Sequence, residues 1–359
     1  MAFLIRIELV NEEPVLIPKS RQRGNHFPGL DYIPGSVIRG ALAGKLAASG
    51  QEDLIKDVLG HGSLISNFYG HGNLPIPSTV LRCKRYVVNK KHSVLNMADT
   101  DDKQYLCEIC DAPLVSCEGY FNFLSAKPVY KKNNAQMRLV THNRISSETG
   151  TSSGKDDDRG GANLYSAEVI ERGQEFVGYL SWKDRGLRDE LLDALRAFKG
   201  KPFMLGKMKG RGYGKTEVCA MDYIDDTTVG AEILRSCRLE PDKIKTFTFL
   251  QDTLFLDKFL QSTSIPDSND VHDVSPAENG SWFNYRTIQG FNMKRGVIHP
   301  AETVATGGST FFSEEEITPD KIKLIEEDGV GARRCEGFGV AVCGLAEAIK
   351  VEEVDWDVK

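Results

Sequence analysis

The sequence predicts an α+β protein made twice over from one unit, in which a helix, a glycine-rich basic loop and a strand follow one another. Residues 204–215 read MLGKMKGRGYGK and residues 329–339 read GVGARRCEGFG, two loops that share glycines, cations and one aromatic residue. Each is preceded by a segment with apolar residues at helical spacing and followed by a β-like run, which makes a pseudo-repeat of one supersecondary unit. A third observation is the opening: residues 2–10 alternate apolar and polar side chains, and residues 33–46, IPGSVIRGALAGKL, join a tight turn to a helix.

Taken in order, residues 2–10 form a half-buried strand at period two, and 15–18 are expected to continue it as a hairpin. In the helix 34–48, Ser36 is placed as the N-cap and Val37, Ile38, Ala41 and Leu42 as the buried face. Gly40 and Gly44 weaken helix propensity, and their small size suits close approach of another backbone or a ligand. Residues 187–199 put Leu191, Leu192, Leu195 and Phe198 on one helical face, and 216–222 form a strand after the first loop. In the second unit Thr318 and Pro319 mark a helix start, Ile322 and Ile325 supply its apolar face, and 340–345 form the closing strand. The boundary is expected at 225–231, giving an N-terminal domain 1–224 and a C-terminal domain 232–359. Residues 261–280 read as a surface loop. The run SSETGTSSGKDDDRGG at 146–161 cannot build a core and reads as a mobile loop.

Composition bounds the function. A chain of 359 residues, 40% hydrophobic, is an ordinary globular protein of two or three domains. Its net charge of -6 argues against indiscriminate nucleic-acid binding by the whole surface, so any such site is local. Local basic stretches exist: Arg82, Lys84, Arg85, Lys90 and Lys91 have no acid between them, and 201–215 holds five cations and no anion. No apolar run reaches the roughly 18 to 20 residues that span a bilayer. A cytoplasmic protein is expected, and its eight cysteines are then free thiols or metal ligands.

Cys107 and Cys110 form a C-x2-C knuckle, with Cys117 after it and Cys83 before it; four thiolates suit tetrahedral zinc. A structural zinc would staple a polar insertion, about 83–120, that has little apolar content of its own. His92 is the substitute fourth ligand. Cys219, Cys237, Cys335 and Cys343 lack matching spacing and read as core thiols. Gly214-Lys215-Thr216 imitates a phosphate loop, but Lys209 stands where that motif needs its first glycine, and a strand follows where it needs a helix.

Glycines allow positive φ and close ligand approach, and exposed N–H groups with cations suit phosphate. Arg21, Arg23, Ser36, Arg39, Lys207, Lys209, Arg211, Arg295, Arg333 and Arg334 are therefore the expected contacts to an RNA backbone. Tyr213 and Phe338, between loop glycines, are placed either to stack on unpaired bases or to anchor their loops. His26 and His142 are the general-base options for metal-independent RNA cleavage, with a neighbouring cation to steady the phosphorane.

The segment 32–46 followed by two glycine-cation loops resembles the RAMP proteins of type III CRISPR effector complexes, and within them most resembles the type III-D Csx-ten group. The points of similarity are 33–46, 140–176, 205–214 and 329–339. The resemblance implies two ferredoxin-like, RNA-recognition-type domains and a subunit that grips guide RNA (crRNA) toward its repeat-derived 5′ handle in antiviral defence. Its implied partners are other RAMP subunits, the large polymerase-like subunit and target RNA; no membrane is involved. Arg39 matches the basic residue of the family's turn-helix, and Arg333 and Arg334 its terminal glycine-rich loop. Target-cutting backbone subunits carry an aspartate before the turn, whereas 14–30 holds no acid and Asp31 is the nearest. The implied role is a guide-binding subunit without target cleavage. Processing of precursor guide RNA through His26 or His142, and metal-dependent target cleavage through Asp31, are the competing activities.

Overall fold

This computed structural model describes residues 3–19, 25–60, 62–85, 92–99, 105–143, 164–183, 188–277, 281–292 and 297–356. The strand Phe3–Asn11 lies in the middle of an antiparallel sheet, between Glu175–Trp182 on one side and Lys215–Ile224 on the other. Pro202–Met204 extends this sheet at one edge, and Ser63–Ile65 and Tyr69–Gly70 pair with Glu175–Trp182 at the other.

The period-two pattern of the first strand decides what each sheet face meets. Phe3, Ile5, Ile7 and Leu9 share a core with Ile38, Leu42 and Leu46 of the helix Gly35–Ala48 and with Leu192 and Leu195 of the helix Arg188–Arg196. Leu4 faces the opposite way, into a second core with Val340 and Val342. Those two valines alternate with Ala341 and Cys343, which face a third, phenylalanine-rich core holding Phe247, Phe249 and Phe311.

The C-terminal part is a smaller copy of the same plan. Thr246–Phe249 lies between Thr310–Phe312 and Ala341–Cys343, all antiparallel, as Phe3–Asn11 lies between its own two neighbours. The helix Pro319–Asp328 precedes the second glycine loop, with Thr318 as N-cap and Pro319 in its first turn. Each copy also carries a long hairpin, Met137–Asn143 with Leu164–Ile170 in the first and Tyr285–Asn292 with Val297–Ala305 in the second.

Three expectations are corrected. Residues 15–18 do not pair with the opening strand; Val15 bridges Ile170, Leu16 bridges Lys207 and Pro18 bridges Gly29. Ser36 is not the N-cap. The helix begins at Gly35 after Pro34, and the Gly35 N–H donates to the buried side chain of Asn67 at 3.0 Å. Residues 261–280 are not wholly surface loop, because Val271 and Val274 are buried in the third core. A Cβ at Gly40 or Gly44 would meet no described atom within 4 Å, so these glycines are not there for internal packing.

One buried acid links two helices of the C-terminal copy. Glu326 accepts hydrogen bonds from Thr228 and from the Cys343 N–H, and Gly230 approaches it so closely that a side chain there would displace the carboxyl. Burial pushes this carboxyl from 4.5 up to about 7, outweighing those donors. A folded pKa above the unfolded one means that the contribution is complete below pH 4.5 and is lost as pH rises to about 7. The unfolding free energy of the protein should therefore fall by about 3 kcal/mol over that window relative to Glu326→Gln; denaturant melts of both proteins at pH 4.5, 6 and 7.5 check this.

Candidate nucleic-acid interface and metal centre

The two glycine loops have one backbone conformation. In the first, Gly206, Met208, Gly212 and Gly214 have positive φ around a single 3-10 turn at Lys209–Arg211; in the second, Gly331, Arg333, Gly337 and Gly339 do so around Arg334–Glu336. Their hydrogen bonds also correspond. Leu205 N donates to Gly214 O and Val330 N to Gly339 O, both at 2.8 Å. Lys207 N donates to Leu16 O at 2.9 Å and Ala332 N to Leu254 O at 2.8 Å. A Cβ on Gly214 would lie 2.1 Å from Leu205 O, and one on Gly339 2.0 Å from Val330 O, so only glycine closes either loop.

The side chains differ where the backbones agree. Lys207, Lys209 and Arg211 are exposed, and none forms an ion pair with a described residue. Arg211 donates to Tyr165 Oη at 3.1 Å, which directs it along the first hairpin. In the second loop Arg333 is held by Glu302 and Glu336, each at 2.6 Å, and lies 5.1 Å above the Phe338 ring. That arginine is held as a clamp between two carboxylates, unlike the unpaired cations of the first loop. Arg334 is exposed and reaches Gly329 O at 3.3 Å.

The second loop also reaches the turn-helix. Gly337 packs on the helix start, where an added Cβ would lie 2.5 Å from Ser36 N. Arg39 donates twice to Leu59 O, at 3.3 and 3.0 Å, and thus caps the helix Glu52–Leu59, an element the sequence pattern did not reveal. Ser36 stays exposed beside Gly337.

Tyr213 is 8% exposed and packs with Leu16, Ala167 and Val169. Burial raises its pKa. Its hydroxyl is hydrogen-bonded to His142 Nε2 at 3.1 Å, and the His142 ring stacks on Tyr165 at 5.1 Å. Tyr213 is thus the anchor of its loop and not a free stacking platform. His26 is exposed, with Ser166 Oγ 2.9 Å from Nδ1 and Glu168 3.7 Å from Nε2. Asp31 turns inward: one carboxylate oxygen accepts from Tyr120 at 3.2 Å and the other from Asn134 N at 2.7 Å. The expected contacts Arg21, Arg23 and Arg295, the cations Lys90 and Lys91, and the loop 146–161 lie outside the described residues.

Sequence reasoning missed a polar junction behind the turn. Arg286, from the second hairpin, donates to Tyr32 Oη at 2.9 Å and to Asp252 at 3.1 Å through Nε. Burial and the Asp252 charge push the Tyr32 phenol well above its usual range. An alternating strand containing one arginine gives no hint that one of its partners, Tyr32, lies 254 residues away.

The cluster that could hold a metal differs by one residue from the four cysteines expected. Ligand atoms of Cys83, His92, Cys107 and Cys110 all lie within 4.8 Å of one another. Cys117 is elsewhere, buried in the second core with its thiol pushed up to about 12 by burial, so His92 takes the fourth place. Sulfur–metal bonds of about 2.3 Å and nitrogen–metal bonds of about 2.0 Å put tetrahedral ligands roughly 3.5 to 4 Å apart, which this cluster accommodates. Burial acts to raise the Cys107 thiol, but hydrogen bonds from Ser93, Ile109 and His92 hold it at about 5. Three cysteines and a histidine leave no open position, so the group fits a structural cation.

A family model described as the RAMP superfamily matches residues 14–217. The chain belongs to the RAMP superfamily. No curated protein matches it. Among solved structures, a chain of the type III-B Cmr-beta complex bound to cognate target RNA and AMPPnP is 16% identical, with TM-score 0.44, covering 90% of this RAMP chain and 92% of that one. A Cas6 product complex is 13% identical, with TM-score 0.40, over 96% of this chain and 100% of that one. Against a second Cmr-beta chain, the match spans 61% of that chain's length. The mixed α+β fold, dominated by sheets, agrees with the RAMP architecture.

The cluster generates a direct test. Wild-type protein should carry about one zinc per chain by elemental analysis; Cys83→Ser or His92→Ala should lose it, and Cys117→Ser should keep it. Retention by His92→Ala with loss by Cys117→Ser would reverse the ligand assignment.

Proposed function

We propose that this RAMP protein is a guide-binding structural subunit of a type III CRISPR ribonucleoprotein, most similar to the type III-D Csx-ten group, which holds crRNA near its 5′ handle in antiviral defence. The observation that carries the reading is the first glycine loop: three exposed cations, Lys207, Lys209 and Arg211, on a backbone fixed by four positive-φ residues. Cations on a rigid loop contact phosphate without reading sequence. The local charge also answers the overall one, since a chain of net charge -6 binds RNA only where its cations are gathered and its acids are not.

The remaining parts follow from this. Two RAMP units, 1–224 and 232–359, hold one loop each, and a zinc-stapled insertion sits in the first. The subunit works in the cytoplasm beside other RAMP subunits and the large polymerase-like subunit. No helix among the described residues is long and apolar enough to cross a membrane. This reading gives Asp31 a structural role, which is supported by the hydrogen bonds its two oxygens accept from Tyr120 and from the Asn134 N–H.

A second reading, processing of precursor guide RNA, is favoured by one observation. His26 is 47% exposed at its side chain and stands between Ser166 and Glu168, an orientation suited to a general base. Chelator-resistant cutting of a repeat-containing transcript, abolished by His26→Ala, would make the protein an endoribonuclease.

For the leading reading, replacing Lys207, Lys209 and Arg211 with alanine should weaken binding of all single-stranded RNAs alike and lower the slope of log affinity against log salt by about 2. An Arg333→Ala protein should keep the wild-type slope. Salt titrations of a labelled RNA on each protein check both outcomes.

A further inference from the structure

The hairpin that the first glycine loop leans on, Met137–Asn143 with Leu164–Ile170, has two unlike faces. Strand alternation sets Arg138, Val140 and His142 beside Val169, Ala167 and Tyr165 on the face toward the loop, a set with one cation and no acid. Burial falls off outward along this face. Val169 and Ala167 are fully buried in the small core that Tyr213 closes, whereas His142 and Tyr165 are half-buried. The cover provided by the loop therefore ends at the rung where His142 and Tyr165 stand opposite each other.

At that rung the two rings stack, with centroids 5.1 Å apart and planes 22° from parallel. Carbon atoms touch at about 3.5 Å, so the stack is offset and leaves part of each ring face uncovered. Both rings are held in place. Tyr213 Oη bonds His142 Nε2 at 3.1 Å, Arg211 donates to Tyr165 Oη at 3.1 Å, and Phe27 stands at 77° to the Tyr165 ring, 5.7 Å away. On the side of Tyr165 away from His142, the neighbouring strand His26–Phe27 stops level with Ser166, and the next residue, Asn25, is exposed. Tyr213 already seals the core beneath the loop, and the outer pair adds a rigid aromatic surface beside the loop's cations.

We propose that Tyr165, backed by His142, is a base-stacking platform, so that the site takes single-stranded RNA with one unpaired base laid on the hairpin while Lys207, Lys209 and Arg211 hold the flanking phosphates. This rests on the reading of the first loop as the RNA contact and narrows it to a class of RNA. A duplex keeps its bases stacked on one another and offers none to a surface outside it. An aromatic face accepts any base, so the platform adds affinity without reading sequence, as the cations do. Both rings are fixed before RNA arrives, and little rotamer freedom is lost on contact.

The test titrates the full-length wild type, Tyr165→Leu and Tyr165→Phe with labelled oligouridine and with an abasic ribose-phosphate strand of the same length. Wild type should bind oligouridine about tenfold more tightly than the abasic strand. Tyr165→Leu should bind the two strands equally with the wild-type salt slope, and Tyr165→Phe, which keeps the ring without the Arg211 bond, should retain the difference. An RNA duplex should bind wild type and Tyr165→Leu alike. 5-Iodouridine within the oligouridine couples on irradiation to a ring stacked on it, and should mark Tyr165 or His142 of the wild type; this readout stands even if Tyr165→Leu fails to fold. Equal wild-type affinity for the two strands, an undiminished difference in folded Tyr165→Leu, or iodouridine adducts only at other residues would overturn the platform, as would an equal loss of duplex binding by Tyr165→Leu. The parent reading fails separately: a wild type that binds neither strand, or a salt slope that survives removal of Lys207, Lys209 and Arg211, contradicts the loop as the RNA contact and removes the platform with it, while a normal slope without a base contribution overturns the platform alone.

Discussion

Everything proposed for this protein depends on one steric constraint, the closure of each glycine loop against its own strand. At Gly214 and Gly339 the Cα lies so near a carbonyl, Leu205 O in one case and Val330 O in the other, that a methyl group would overlap it. Closure at that distance fixes the turn between, and the turn fixes where its cations stand. The same contacts tie Leu16 and Leu254 to the loops, so that each loop is anchored to its sheet from two sides. A flexible basic tail could supply the same charge, but it would lose conformational freedom on every contact with RNA.

Given two identical backbones, function is assigned by the chemistry placed on them. In the first loop the cations are exposed, with Arg211 lying along the hairpin, and the aromatic residue, Tyr213, is turned inward to hold the loop against it. In the second, Arg333 is consumed by Glu302 and Glu336, and the loop leans on the opening helix through Gly337. Charge neutralised by two carboxylates attracts no phosphate. In the proposed reading the first copy of the motif meets RNA, while the second packs on the opening helix, and the second core, where Leu4 meets Val340 and Val342, adds to that contact.

The repeated plan was legible because it is written in glycine positions and apolar periods, which depend on local backbone geometry. The helix Gly35–Ala48 buries Ile38 and Leu42 as its pattern requires, and Thr318 and Pro319 begin a helix where they should. What escaped were partnerships across distance. Nothing near Arg333 in the sequence announces Glu302, and nothing near Arg39 announces the carbonyl of Leu59. Ser36 looked like a cap because its chemistry fits, yet Asn67, thirty-one residues on, reaches the helix first residue instead. Cys117 satisfied a spacing rule, but it belongs to the second core, and His92, two residues before the strand Val94–Asn96, lies beside the thiols.

The most direct measurement is ultraviolet crosslinking of the protein to its own RNA. The chain would be purified gently with its genomic neighbours, irradiated, and its RNA-linked peptides identified. The account predicts adducts concentrated in 206–214 and along the adjoining first hairpin, none at Arg333, and short bound RNAs that share one repeat-derived 5′ end. Adducts confined to the second loop, or a folded complex free of RNA, would contradict it.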